Sequence, residues 1–181
     1  NSSMNWKIIN VCFCLFFLGL FSCTTKKGME VIYIDDDMET SAPLNDFNYF
    51  VGLFKNVEEQ KMLVPAAVLD SIYYGFEKTG IKKSFIPNCR MRVDTSIGQI
   101  FIDDRFCAFT KDSDSISVSP RVIFLLKKYS GYYNRMEKEY LKDCYDSRYF
   151  NLLEGYEYKP SPKLSPVFTE FRVKVILYRE N

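Results

Sequence analysis

A chain of 181 residues with 24 Lys and Arg against 23 Asp and Glu carries a formal net charge of +1. That balance argues against nucleic acid, whose binding rests on neutralising phosphates. There is no His, so Ser-His-Asp and Cys-His nucleophile systems are excluded, as are the usual His-containing zinc sites. In chain order, Met4-Asn5-Trp6-Lys7 is a short, weakly positive start. Ile8 to Phe21 is an apolar run broken only by Asn10 and Gly19, and Ser22 stands directly before Cys23. Charge, apolar stretch and small residue in that order make a secretory signal. The run is too short for a membrane span, which needs about twenty apolar residues.

Leu20-Phe21-Ser22-Cys23 resembles the lipobox of bacterial lipoproteins, with Phe21 departing from the smaller residue usual there. The resemblance implies cleavage before Cys23 and a diacylglyceryl group on its sulfur. Two or more acyl chains hold stably at about 0.8 kcal/mol per buried methylene. Thr24, where inner-membrane sorting uses Asp, implies the outer membrane by the same resemblance. Lys26 and Lys27, in place of an acidic cluster, favour the periplasmic face over surface display. The organisation expected is a signal peptide over 1–22 (with 1–3 preceding the native start at Met4), a lipidated tether over 23–29, and one domain over 30–181. A domain of that size buries roughly 70% of its unfolded-chain surface.

The three cysteines left after processing are Cys89, Cys107 and Cys144. An oxidising compartment allows one disulfide among them, and Cys89–Cys107 is the candidate pair. The only Trp, Trp6, leaves with the signal, and with it the commonest sugar-stacking platform.

Glu30–Ile34 is a β-rich run that ends at Asp35-Asp36-Asp37. Those acids with Glu39 could gather oxygens for a divalent cation, but they are not spaced like a calcium loop, and a solvated loop after an edge strand is the preferred reading. Leu44, Phe47, Phe50, Val51, Phe54 and Val57 recur at three and four, predicting a helix. Pro65 opens a second, with Val68, Leu69, Ile72, Tyr73 and Phe76 on one face and Gly80 as its stop. Arg90, Arg92 and Asp94 alternate with Met91, Val93 and Thr95, a strand with one wet face. Ser96-Ile97-Gly98 suits a hairpin loop, returning through Gln99–Asp104 and Arg105–Thr110. Asp94-Thr95-Ser96-Ile97-Gly98 resembles the Asp-Thr/Ser-Gly of aspartic proteases only loosely, because Ile97 intervenes and no second copy exists. Lys111–Ser115 is a polar turn; Asp112 and Asp114 lack the Gly and Glu of a calcium loop.

Ser119-Pro120 is a helix start. Val122, Leu126, Tyr129, Tyr133, Met136 and Tyr140 then keep a helical phase through Ser130-Gly131, predicting one bent helix. Ser147–Leu153 suits a short helix, and Pro160, Pro162 and Pro166 stiffen a loop. Val167–Tyr178 alternates as the clearest strand of the chain. Helices in blocks without a βαβα rhythm indicate an α+β class: one domain, an antiparallel sheet, helices packed mainly on one face.

The candidate recognition surface is the stripe Tyr129, Tyr132, Tyr133, Met136 and Tyr140, since Tyr and Met supply area and adaptability at interfaces. A stripe at this spacing more often faces the core. Gly-x-Ser-x-Gly, Ser-x-x-Lys, P-loop, Gly-x-Gly-x-x-Gly and paired Cys-x-x-Cys motifs are all missing. The expectation is a non-enzymatic, lipid-anchored envelope protein that binds another protein, of the format used by immunity proteins against toxins. It needs no cofactor, no metal and no nucleic acid. The alternatives are a lipoprotein binding a glycan, lipid or peptide, and a hydrolase using paired carboxylates, which leave no local motif.

Overall fold

The computed structural model describes residues 28–35, 43–44, 47–82, 88–103, 107–135 and 171–180. Its strands are β1 (Met29–Ile34), β2 (Glu59–Val64), β3 (Phe76–Lys82), β4 (Cys89–Thr95), β5 (Gly98–Asp103), β6 (Ala108–Phe109), β7 (Asp114–Val118) and β8 (Arg172–Arg179). They form one sheet in the order β2-β8-β1-β4-β5-β6-β7-β3. Every pairing is antiparallel except β2 with β8, which is parallel. The helices are α1 (Phe47–Gly52), α2 (Ala66–Tyr74) and α3 (Pro120–Tyr129), with a 3₁₀ turn at Tyr133–Arg135. The class is α+β in a single domain.

Alternation along the strands creates two unequal layers. On one face, Val31, Tyr33, Met91, Val93, Ile100, Ile102, Val173, Val175 and Leu177 meet Ile72 of α2 and Ile123, Phe124 and Leu126 of α3. On the other, Ile32, Ile34, Cys89, Phe101 and Phe109 meet Phe50 and Phe54 from α1 and the turn after it. Two of the three helices therefore share a face, and α1 caps part of the opposite one. β1 is apolar at successive positions because both of its faces are covered. It lies between β8 and β4 and is not the edge strand the sequence suggested.

Several boundaries differ from expectation. α1 is shorter than the pattern 44–57, its last residues passing into a turn. α2 ends at Tyr74, and Phe76 opens β3 instead of completing the helix. Gly80, expected as a helix stop, lies within β3 at positive φ. The hairpin turns on Ser96 and Ile97, with Thr95 paired to Gly98. β2 and β7 were not expected from the sequence at all.

α3 starts as the sequence indicates, the Ser119 hydroxyl accepting from the Val122 amide at 3.3 Å with Pro120 at the first helical position. It does not continue through Gly131 as one bent helix. Gly131 adopts φ +78°, its amide donates to Lys128 and the Tyr132 amide donates to Lys127. That is the Schellman closure, a stop that glycine makes cheaply. The expectations for 36–37, 39, 136–170 and the signal segment lie outside the described residues.

Candidate functional site

The Asp35 environment shows how the ends of distant elements are held. The Asp35 amide donates to the Phe171 carbonyl at 3.0 Å. Its carboxylate receives Nε of Arg135 at 2.5 Å and the second guanidinium nitrogen at 2.8 Å. The reading of Asp35 as a solvated loop residue is corrected: it is 2% exposed, because β1 is interior and the turn after α3 closes over its end. Beside it the Tyr33 hydroxyl donates to the Ser130 carbonyl at 3.2 Å. Burial, above all, pushes the Tyr33 phenol well above its usual range. This cluster joins β1, β8 and the α3 terminus, which is a structural role.

The aromatic stripe divides. Tyr132 and Tyr133 are buried in the main core, with Tyr132 packed edge-on to Tyr33 at 5.2 Å. The ammonium of Lys127, itself buried, lies 5.0 Å from the Tyr132 ring centre and 5.9 Å from that of Tyr133. That spacing is a cation–π arrangement. These two tyrosines therefore face the core, and the partner-binding role considered for them is corrected. Tyr129 is partly buried against the same core. Met136, Tyr140, Cys144 and Cys23 lie outside the described residues.

Cys89 and Cys107 are thiols here, not a disulfide. The tighter turn and a bulge between Cys89 and Met91 place Cys89 opposite Asp103. The Asp103 amide donates to the Cys107 carbonyl from the other side, at 3.1 Å. Two strand spacings, about 9.6 Å, then separate the pair, beyond the ~4.4–6.8 Å a disulfide spans. Burial, with Asp103 adding to it, pushes the Cys89 thiol up to about 12. Iodoacetamide at pH 8 should therefore leave Cys89 unlabelled in the native chain and label it after denaturation, read by peptide mass spectrometry. A recovered Cys89–Cys107 bridged peptide would contradict this arrangement.

Beyond α1, the second sheet face is polar. Register sets Glu59 beside Lys174 and Ile32 beside Arg92, with Glu30 one row along. Lys174 Nζ lies 3.3 Å from Glu30 and 3.0 Å from Glu59, and Arg92 also pairs with Glu30. The wet-face expectation for Arg92 is corrected, since it is buried. Desolvation lowers its pKa, with Asp94 opposing. The ladder sets two carboxylates, Glu30 and Glu59, against two cations, Arg92 and Lys174. This pair lends no support to the hydrolase alternative. Among the described residues no three Cys, Asp or Glu gather as a metal group, and no helix is long and apolar enough to cross a membrane.

What remains is exposed apolar surface. Leu63 is 69% exposed, Tyr74 66%, Ile81 63% and Tyr73 37%. These four large apolar side chains, the exposed ones among the described residues, all fall within β2, α2 and β3. The Tyr73 and Tyr74 rings meet edge-on at 5.0 Å, and the Tyr73 carbonyl accepts from the Ser96 amide at 3.0 Å. The helix end is thereby fixed against the β4–β5 turn. Sequence reasoning placed Tyr73 on the buried face and passed over Tyr74. The available signal was the run Ile72-Tyr73-Tyr74, because three successive helical residues sweep about 200° and do not all fit one apolar face.

No family model, no curated protein and no solved structure matches this chain.

Proposed function

We propose that this is a lipid-anchored envelope protein, tethered through Cys23 to the outer membrane and facing the periplasm, that binds another protein without catalysing a reaction. The observation that carries the binding reading is the exposure of the adjacent Tyr73 and Tyr74 at the end of α2, whose rings meet edge-on at 5.0 Å. Tyrosine brings large contact area at low conformational cost and is favoured where protein surfaces meet. The anchor rests on the resemblance of Leu20-Phe21-Ser22-Cys23 to a lipobox. An immunity-type inhibitor, which occludes an arriving toxin, is the format this combination suits best.

Two results test the proposal. Cells fed a palmitate analogue should label the chain, and Cys23→Ser should abolish the label; equal labelling of the variant would end the anchor reading. Deleting the gene should sensitise cells to a competitor's toxin, and unchanged survival would count against the immunity format.

A further inference from the structure

The two edges of the sheet are built differently. β3 carries a register break between Lys78 and Lys82, with Gly80 at φ +71°. A bulge and edge lysines are the usual means of keeping a sheet edge from pairing. β2 has no break: Glu59 to Val64 pair with Lys174 to Arg179 in six unbroken steps. It contains no proline, and among the described residues it is paired on one side only. Glu59, Gln60, Lys61 and Leu63 are exposed.

We infer that β2 pairs antiparallel with β2 of a second copy of this chain, in a register centred on Gln60. A two-fold axis normal to the sheet sets residues symmetrically about one position, and directly opposed residues share a face. Centring on Glu58, Glu59 or Lys61 sets a charge against itself, and centring on Met62 brings no opposite charges together. Centring on Gln60 places Glu59 opposite Lys61 of the partner subunit, twice over. Glu59 already faces Lys174, so each new contact extends the ladder to Lys61 of the partner subunit. The same register sets exposed Leu63 against Val57 of the partner subunit. The self-complementary charge pattern selects a second copy over an unrelated strand. This inference stands apart from the hetero-partner reading, which uses Tyr73 and Tyr74.

The test is cross-linking of the purified full chain in detergent solution. Gln60→Cys sets two sulfurs on the symmetry axis, at a Cα separation of about 4.5–5.5 Å that a disulfide spans. Mild oxidation should give a disulfide-linked dimer well above the level of the native chain and of Lys82→Cys on the guarded edge. Adding Lys61→Glu sets like charges together at both symmetric positions and should reduce that dimer about tenfold. Cross-linking of Gln60→Cys no greater than Lys82→Cys, or a yield insensitive to Lys61→Glu, would each overturn the inference. All three positions are exposed, so loss of folding does not confuse the result.

Discussion

Replacing Arg135 by Met is expected to cost about 3–5 kcal/mol of stability, because it removes the cation from a carboxylate that stays buried. Asp35 is reached by two guanidinium nitrogens and carries almost no solvent exposure. Water cannot replace the lost charge without opening the end of β1. The double variant Asp35→Leu, Arg135→Met should recover much of the loss, since no charge then remains to desolvate. Urea denaturation followed by circular dichroism measures both, with Lys82→Met as a surface control within about 0.5 kcal/mol. An Arg135→Met variant that unfolds with the control would return Asp35 to a solvated loop.

The second large effect lies on the opposite face. Phe50 is fully buried beneath α1 among Ile32, Ile34, Phe101 and Phe109, its ring 5.3 Å from that of Phe54. Phe50→Ala is expected to cost about 3–5 kcal/mol through lost burial and an unfilled cavity. A helix of six residues has little stability of its own, so α1 should detach and its apolar bed should bind a hydrophobic dye. A cost below about 1 kcal/mol without dye binding would mean that α1 does not hold that layer.

The fold class was legible because the strongest patterns were local. β8 reads from its alternation, β1 from its β-branched run and α3 from Ser119-Pro120. The misreadings have physical causes. Tyr132 and Tyr133 continue the helical spacing of α3 only because the chain turns at Gly131 and returns them to the same core. β2 has little alternation to read: it pairs in parallel with a strand more than a hundred residues later and exposes most of one edge. Cys89 misses Cys107 because a two-residue turn and a bulge set it opposite Asp103, with Cys107 on the far side of β5, and bulges leave no reliable mark in a sequence. The candidate surface was the least legible part. Tyr74 and Ile81 are singled out by exposure, which depends on what the fold covers elsewhere.

The protein-binding reading is tested most directly by chemical cross-linking of the full chain in its native cells, followed by affinity capture and mass spectrometry. The account predicts one dominant heterologous protein. It should be lost from the double variant Tyr73→Ala, Tyr74→Ala, retained by Tyr129→Ala, and captured alike whether or not β2 pairs. Capture of no heterologous protein, or of one equally abundant with the double variant, would contradict it.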